Sequence, residues 1–452
     1  MTTLYSALWV LPISSLPIEA GAIAVDGATI CDVGTLSSLI AKFPNAEVRH
    51  FGEAAIIPGL VNAHTHLELT AMRGFLDNEE GDFLAWLRKL TLARLERMTA
   101  DDLYVSASWG IGEALRAGVT CVADASDAAS ESMRAMRDAG LRGIVFQESF
   151  GPDPRLVQDN FGKLKERVAQ LRGLETPLVR LGVSPHAPYT VCAPQLELIS
   201  QFALSEDLPV MMHAAESLAE KMFLQDGTGS FADGLSKRGI AWESPGISTI
   251  QYLQRHGVLR TKPLLAHCIN VDEADLEILR NNDARIAHCP KSNAKLGHGR
   301  APFSSFLKHG ITVGLGSDSV ASNNTCDILE EARFAVLMAR SGSDGTCEEG
   351  MLEANDALRA ATLSGARAVG LEGRAGELQR GFEADFAVVS LSKTHQLPAY
   401  DPVGALVFTS SASDVIATFV AGNELYSEGE LKSVDEDRLR ARLKEISSKL
   451  RA

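Results

Sequence analysis

The stretch PGLVNAHTHLEL, from Pro58 to Leu69, ends an apolar run with two histidines one residue apart. Alternate side chains of an extended strand face the same way, so His64 and His66 would share one face, about 6.5 Å apart along the chain. Both imidazoles could then reach one metal ion, for which neutral histidine is a common ligand. The alternative is that each is a hydrogen-bonded core histidine. Further candidate ligands elsewhere in the sequence would favour the metal site over the core histidines.

The same stretch opens a series of short apolar runs that alternate with helical patterns. In the intervening segments, apolar residues recur every three or four positions, as they do in helices packed on a sheet. Eight such alternations predict an α/β fold, a (β/α)8 TIM barrel. The predicted strands cover residues 56–63, 119–126, 143–150, 179–186, 209–216, 264–268, 284–290 and 312–318.

Strand-like segments flank the predicted barrel, which spans residues 56–370. Residues 1–55 contain AIAVDGATICDVG, and residues 371–452 contain ADFAVVSL and VIATFVAGNELY before a charged helix. Neither flank is large enough for a core of its own. We therefore expect both flanks to form one composite domain beside the barrel, a small β-sandwich, with a final charged helix on the surface of the protein.

Composition and charge argue against several classes of protein. A chain of 452 residues with 45% hydrophobic and 22% charged residues is typical of a globular protein. The net charge of −15 argues against a nucleic-acid surface. The apolar N-terminal segment is broken by prolines and Glu19, so no membrane span is predicted. Seven cysteines without a C-x-x-C pair indicate a reducing, cytoplasmic setting.

Residues able to bind metal or carry protons close five of the eight predicted strands. In a TIM barrel the active site lies at the carboxyl ends of the strands, so these side chains should meet there. Such a concentration of histidines and carboxylates predicts a metal site. The residues are His64 and His66 on the first strand, His186 on the fourth, His213 and Glu216 on the fifth, His267 on the sixth and Asp318 on the eighth.

Three histidines and one aspartate suit a divalent ion of the zinc or ferrous type. Such an ion lowers the pKa of a bound water from about 15.7 towards about 7, which favours hydrolysis. His267 is either a further ligand or a base. Glu216 is either a helix cap or a proton shuttle beside the ion, and Asp318 can be both a ligand and the acceptor of the water proton.

Six segments together resemble, in order and spacing, the motifs of the amidohydrolase superfamily. The similarity is to its cytosine deaminase-like branch, which contains the methylthioadenosine/S-adenosylhomocysteine deaminases, the aminofutalosine deaminases and the triazine chlorohydrolases. It covers nearly the whole chain. The segments are PGLVNAHTHLE, SPHAPYT, HAAES, AHC, HCPKSNAKLGHG and LGSDSVASNN.

The resemblance implies roles for the strand-end residues. One divalent ion, zinc or alternatively ferrous iron, would be held by four ligands, Glu216 would relay a proton to a ring nitrogen, and His267 would orient the water or the intermediate. The fourth strand ends in SPHAP without the bridging lysine of two-metal members, which indicates a single ion. The resemblance also implies a small-molecule substrate and a homo-oligomer, a dimer. The four ligands are His64, His66, His213 and Asp318.

The resemblance further suggests which residues line the substrate pocket, although each has a structural alternative. His186 could instead be a buried histidine bonded to backbone, and Ser292, Asn293 and Asn323 could serve as caps or turn residues. Leu95 stands where adenosylhomocysteine-type deaminases carry an acidic ribose contact, with Glu96 next to it. The insertion at 218–262 is either a lid over the site or ordinary helical packing. The candidate pocket residues are His186, Trp86, Arg155, Ser292 and Asn293.

These features predict hydrolytic deamination of an aminopurine nucleoside with release of ammonia. The favoured substrates are 5′-substituted adenosines, with aminodeoxyfutalosine ahead of methylthioadenosine and S-adenosylhomocysteine. One alternative is a hydrolase of the same fold that displaces chloride or cleaves another C–N bond on a triazine, guanine or a similar ring. Another is a non-catalytic scaffold built on the same barrel.

Overall fold

The structure is a computed structural model that describes residues 1–341 and 351–451. Its strands within these ranges are β1 (Thr3–Val10), β2 (Ile18–Asp26), β3 (Thr29–Thr35), β4 (Glu47–His50), β5 (Ala54–Pro58), β6 (Leu60–Thr65), β7 (Val119–Ser126), β8 (Arg142–Ser149), β9 (Val179–Pro185), β10 (Met211–Ala214), β11 (Leu264–His267), β12 (Arg285–His288), β13 (Val313–Leu315), β14 (Phe386–Ser390), β15 (Val415–Val420), β16 (Asn423–Ser427) and β17 (Glu430–Leu431).

Helices connect most of these strands. Within the same ranges they are α1 (Leu36–Lys42), α2 (Phe83–Arg97), α3 (Ala100–Arg116), α4 (Ala129–Ala139), α5 (Val157–Leu171), α6 (Ala193–Ser205), α7 (Leu218–Gln225), α8 (Ser230–Lys237), α9 (Thr249–Arg255), α10 (Glu273–Asn281), α11 (Pro290–Lys295), α12 (Phe303–Lys308), α13 (Val320–Asn323), α14 (Ile328–Ser341), α15 (Ala354–Ala361), α16 (Leu363–Ala368), α17 (Pro402–Phe408) and α18 (Glu436–Arg451).

Eight parallel strands form two four-stranded sheets, β6-β7-β8-β9 and β10-β11-β12-β13. The sheets meet at both of their edges. At one seam the amide of Val183 donates to the carbonyl of Pro209 at 3.0 Å, and at the other the amide of Asp318 donates to the carbonyl of His64 at 2.9 Å. The fold is therefore an α/β arrangement of parallel strands and helices that resembles a TIM barrel.

Both ends of the chain contribute to one mixed sheet of nine strands, in the order β17-β16-β15-β14-β5-β1-β2-β3 with β4 beside β1. Strand β14 pairs antiparallel with β5, so that Phe386 lies opposite Pro58. The rings of Phe386 and Phe419 stack at 4.2 Å in the core of this sheet. All nine strands are hydrogen-bonded into one sheet, whereas a sandwich of two sheets was expected.

The predicted first barrel strand, residues 56–63, is two strands divided at Gly59. Ile56 and Ile57 belong to β5 in the nine-stranded sheet, and β6 begins only at Leu60. A side chain on residue 59 would place its Cβ 2.0 Å from Oγ1 of Thr120. The chain therefore passes from one sheet to the other at a position where only glycine fits.

A buried ion pair joins the parallel strands to the nine-stranded sheet. Arg142, at the start of β8, donates through Nε to Oδ2 of Asp385 at 2.6 Å, and it also bonds Glu383. Oδ1 of Asp385 accepts from the amide of Ala421 at 2.6 Å. Arg142 and Asp385 are each only 2% exposed. Removal of either side chain would therefore leave the opposite charge buried without its partner.

Replacing Arg142 by alanine is expected to lower the free energy of unfolding by about 3–5 kcal/mol, because the carboxylate of Asp385 would stay buried without its partner. Thermal or urea unfolding measures the loss. The double variant Arg142→Met with Asp385→Asn retains an oxygen for the amide of Ala421 and should lose less. A double variant that is as unstable as Arg142→Ala would show that packing, rather than charge, dominates at this position.

The C-terminal helix α18 packs its apolar face, which includes Leu439, Ile446 and Leu450, into a core cluster shared with α2 and α3. Lys449 holds Asp102 of α3 at 2.8 Å. The C-terminal helix is thereby held against α2 and α3. In the described ranges, no helix combines the length and apolar character needed to cross a bilayer.

Candidate active site

Four predicted metal ligands converge where strands β6, β10 and β13 end. Nε2 of His66 lies 3.2 Å from Nε2 of His213. Oδ1 of Asp318 lies 3.4 Å from Nε2 of His64 and 3.6 Å from Nε2 of His66. All four side chains are buried. Three imidazole nitrogens and one carboxylate oxygen are thus close enough to bind one ion.

The chemistry of these donors fits a divalent cation. Nε2 of His64 is buried and has no hydrogen-bond partner among the described residues. Burial, reinforced by the neighbouring imidazoles, lowers the pKa of His213 to about 4 and that of His66 well below its usual value. The rings of His66 and His213 are therefore neutral at physiological pH, which is the protonation state that binds zinc or ferrous iron.

Hydrogen bonds behind the cluster orient its members. Nδ1 of His213 lies 3.0 Å from the carbonyl of His186, which directs the opposite nitrogen to the cluster. Oδ2 of Asp318 accepts from Oγ of Ser292 at 2.6 Å and from Oγ of Ser322 at 2.8 Å. Ser292 was expected at the substrate rim, but it instead supports the carboxylate of Asp318 from behind.

The backbone around the cluster adopts left-handed conformations at residues other than glycine. The φ angles are 52° at Ala215, 73° at His267, 45° at Cys268 and 56° at Asp318. Such conformations cost about 1–3 kcal/mol each and are maintained by the surrounding structure. Here the amide of Cys268 donates to the carbonyl of Ala214 at 3.0 Å. The turns aim the side chains of His267 and Asp318 at the same point.

Glu216 and His267 form a second group beside the four candidate ligands. Oε1 of Glu216 lies 3.7 Å from Nε2 of His267 and 3.3 Å from Nδ1 of His298. Burial alone would raise the pKa of Glu216, but the two histidines outweigh it and lower the value to about 2. Glu216 is therefore an ionised carboxylate that can accept a proton.

Asn293 fixes the orientation of His267. Its Oδ1 lies 2.8 Å from Nδ1 of His267, so this nitrogen carries the proton and Nε2 faces Glu216. Burial lowers the pKa of His267, but Glu216 and Asp318 together outweigh this effect and raise it. Asn293 was expected in the substrate pocket, and the structure places it behind His267 instead.

Glu220 holds the turn that carries Glu216. Its carboxylate accepts from the amides of Ala215 at 2.8 Å and Glu216 at 3.0 Å, and from Oγ1 of Thr249 at 2.9 Å. Burial raises the pKa of Glu220 to about 7. Its two oxygens satisfy backbone groups that would otherwise be buried without acceptors.

The variant Glu220→Gln is expected to lower kcat about 10–100-fold, the range seen when groups supporting a catalytic residue are replaced. Glutamine has one acceptor oxygen, so one of the two amides loses its partner and the position of Glu216 changes. Steady-state kinetics with metal analysis measures the effect. Thr249→Val removes only a hydroxyl donor and serves as the milder control, so equal losses in both variants would argue against this positioning role.

A cavity of about 530 Å³ opens above Glu216, His267 and Asp318. One wall is a face of helix α2 whose residues follow the helical repeat. Trp86 is 5% exposed, and its buried indole N–H has no acceptor among the described residues. The cavity thus combines a polar floor with an apolar wall. The α2 residues in this wall are Phe83, Trp86, Leu87 and Leu90.

The structure separates the remaining pocket candidates. His186 and Trp86 line the cavity, and Leu95 lies at its rim. Glu96 borders a different surface depression. Arg155 does not line the cavity. Its side chain is 71% exposed and pairs with Asp153 at 2.7 Å. Asn323 lies behind the site, where its amide donates to the carbonyl of Ser317 at 2.5 Å.

The insertion at residues 218–262 contributes to the cavity wall. It contains α7, α8 and α9. Phe231 of α8 stacks on Tyr189 with ring centroids 3.9 Å apart, and Arg238, just after α8, lines the cavity. The segment therefore packs on the barrel and borders the substrate space at the same time.

Several residues at the site were not assigned a role from the sequence. His298 lies in the quoted segment HCPKSNAKLGHG, and that motif was the only signal available for it. Glu148 and Arg94 line the cavity. Glu68 lines it as well and follows the paired histidines in HTHLE. Their contacts depend on packing between different strands, which residue spacing does not reveal.

Comparisons with known proteins find relatives along nearly the whole chain. The family model described as Amidohydrolase family matches residues 55–425. A 5-methylthioadenosine/S-adenosylhomocysteine deaminase of Syntrophobacter fumaroxidans is 31% identical over 431 residues, which cover 95% of this chain and 93% of that protein.

Two solved structures extend the comparison. An adenosine deaminase from Xanthomonas campestris with bound zinc has a TM-score of 0.86 and 27% identity, over 99% of this chain and 98% of the other. The aminofutalosine deaminase of Helicobacter pylori, in complex with methylthio-coformycin, has a TM-score of 0.79 and 21% identity over 94% and 100%, a likeness of fold alone. From the extent of the model match and the identity along nearly the whole chain, this protein belongs to the amidohydrolase family.

Proposed function

We propose that the protein is a metal-dependent hydrolase that deaminates 5′-substituted adenosines. The observation that carries this proposal is the placement of Glu216 and His267 beside the four candidate ligands, on the floor of the cavity. A carboxylate, an imidazole and a cation site within a few ångströms can activate water and move its protons to a bound ring.

We also propose a closed barrel and a composite domain for this fold. Hydrogen bonds at both seams support closure of the two parallel sheets into one (β/α)8 barrel. The single sheet built from both flanks supports a composite domain of residues 1–55 and 371–452, with the crossing point at Gly59. The cysteine pattern supports a cytoplasmic setting. The family resemblance supports a homodimer, for which light scattering after size-exclusion chromatography is the test.

Zinc is the proposed cofactor, held by His64, His66, His213 and Asp318. Nitrogen-rich ligand sets of this kind suit zinc, and a relative of similar fold contains it. When bound there, the ion lowers the pKa of water so that a nucleophile is available at neutral pH. The remaining chemistry is performed by the residues around it.

Glu216 is the proposed proton carrier. It takes a proton from water as the water oxygen adds to the amino-bearing ring carbon, and it delivers that proton to the adjacent ring nitrogen. His267, held by Asn293, acts as an imidazolium and donates from Nε2 to the added oxygen. Asp318 accepts the second water proton and passes it to the amino group. The C–N bond then breaks, ammonia leaves, and a ring carbonyl remains.

The cavity supports a nucleoside rather than a free base as substrate. Its volume of about 530 Å³ exceeds the space that a purine ring needs, and its wall along α2 is apolar. Trp86 offers a buried N–H to an acceptor on the ligand, and the exposed Arg238 stands at the mouth. These features suit an adenosine with an extended 5′ substituent, either thioether or anionic.

The test is ammonia release from a panel of nucleosides by protein of known metal content. The panel contains methylthioadenosine, S-adenosylhomocysteine, aminodeoxyfutalosine and adenosine, with guanine and a chlorotriazine as controls. Turnover confined to the adenosines supports the proposal and ranks the 5′ groups. Turnover of guanine or the chlorotriazine alone would replace it with another hydrolase, and a fully loaded protein that is inactive on the whole panel would refute the substrate class.

A further inference from the structure

Asn62, in β6, joins the strand that carries His64 to the turn that carries Asp318. Its side chain is fully buried. Oδ1 accepts from the amide of Ser317 at 2.9 Å and lies 3.4 Å from the amide nitrogen of His64, while Nδ2 donates to Oγ of Ser317 at 2.7 Å. Oγ of Ser317 in turn donates to the carbonyl of Asp318 at 3.1 Å. One asparagine thus contacts the backbone of one candidate ligand and the neighbour of another.

The regular strand pairing does not fix these two ligands. The pairing of β6 with β7 shifts in register between Asn62 and Thr65, the segment that contains His64. Strand β13 ends at Leu315, and Asp318, three residues later, has a left-handed φ angle of 56°. Both ligands therefore depend on hydrogen bonds outside the ladders for their position.

The two segments meet at the seam between the parallel sheets. The amide of Asp318 donates to the carbonyl of His64 at 2.9 Å. They approach so closely that a Cβ on residue 316 would lie 2.9 Å from the amide nitrogen of His64. A hydrogen bond by itself permits rotation about its own axis, and the bonds of Asn62 to Ser317 supply a second point of attachment. The relative orientation of the two segments is thereby restricted.

We propose that Asn62 is a positioning residue that sets the separation of His64 and Asp318 and so determines how tightly the site binds its cation. This role rests on the proposed metal-dependent function. Replacing groups that orient metal ligands commonly changes metal affinity about 10–100-fold. An amide suits the position because it offers an acceptor to the backbone of Ser317 and a donor to its hydroxyl, without adding a charge beside the ligands.

The test measures the zinc dissociation constant of wild type, Asn62→Ala and Asn62→Leu by competition with a chromophoric chelator, with the Tm of each metal-free protein beside it. Both variants are expected to raise the constant about 10–100-fold, because neither side chain can bond Ser317. Leucine is close to asparagine in size, so it separates hydrogen bonding from packing. Ser317→Ala removes a single bond and should raise the constant about 2–10-fold.

Two further proteins make the test specific. In the Asp318→Ala background, Asn62→Ala should raise the zinc dissociation constant by less than about threefold, because the ligand that Asn62 positions is already gone. Asn282→Ala is the matched control. Asn282 follows α10, and its side-chain amide donates to the carbonyl of Ile278 at 2.8 Å, away from the site. It should bind zinc as wild type does.

Unchanged zinc affinity in folded Asn62→Ala and Asn62→Leu would overturn the inference, and so would an effect of full size in the Asp318→Ala background. Weak binding by the alanine variant with normal binding by the leucine variant would assign Asn62 a packing role. If neither variant folds, Ser317→Ala decides, and an unchanged constant there contradicts the positioning role. Wild type that binds neither zinc nor ferrous iron instead refutes the proposed metal-dependent function.

Discussion

Removal of divalent ions with a chelator is expected to reduce ammonia release from adenosines to the detection limit, and added zinc should restore it. Without a cation, the pKa of water returns from about 7 to about 15.7, and almost no nucleophile is available at neutral pH. The paired variant His64→Ala with Asp318→Ala should have the same defect and resist rescue, because it removes two of the four converging donors. Metal content by mass spectrometry, measured beside activity, checks both statements.

His288→Asn provides the matched control for loss of a buried strand-end histidine. His288 ends β12, but its ring packs against Phe303 at 5.2 Å between centroids and is not among the converging donors. This variant should retain one ion per chain. Full activity of the His64 and Asp318 double variant, or of chelated protein proven free of metal, would contradict the metal-dependent mechanism.

Replacing Glu216 by glutamine is expected to lower kcat about 10²–10⁴-fold while leaving the metal content unchanged. Glutamine matches the size of the side chain but cannot carry a proton, and Glu216 is not among the four donors that converge. The effect should fall mainly on kcat, because proton transfer occurs in the chemical step. Steady-state kinetics on methylthioadenosine and adenosine, combined with metal analysis, measures it.

The variant Glu277→Gln, which changes an exposed glutamate on α10, controls for the substitution itself. It should retain wild-type kcat. If Glu216→Gln lost its ion together with its activity, Glu216 would have to be reassigned as a ligand. If its activity stayed within a few-fold of wild type, the proton would have to travel by another residue.

The strand-end histidines could be predicted because parallel strands deliver their last residues to one edge. His64, His66, His213 and Asp318 come from distant parts of the sequence, yet each follows an apolar run, and the structure brings their side chains together. The alternation of strands and helices could also be predicted from the sequence, because it depends on local periodicity. These features need only the register of each strand, which its own residues determine.

Other features depend on packing between helices and strands, so local sequence patterns could not predict them. Ser292 and Asn293 lie next to each other in one motif, but their side chains serve different partners, Asp318 and His267. The sequence made Arg155 a candidate pocket residue, but its exposed side chain pairs with Asp153 instead. The division of the first apolar run at Gly59 arises from the close approach of Thr120, which no local pattern reports.

The pairing of β5 with β14 also has a consequence for synthesis of the chain. Ala54 pairs with Ser390, and Pro58 pairs with Phe386. One edge of β5 therefore stays unpaired until a strand more than 300 residues later in the sequence has been synthesised. Contacts of such long separation form slowly, and an unpaired apolar edge can associate with other chains in the interval. On the ribosome, β5 cannot complete its sheet until most of the protein has emerged. Translation of the C-terminal segment is therefore the event that protects the N-terminal one from aggregation.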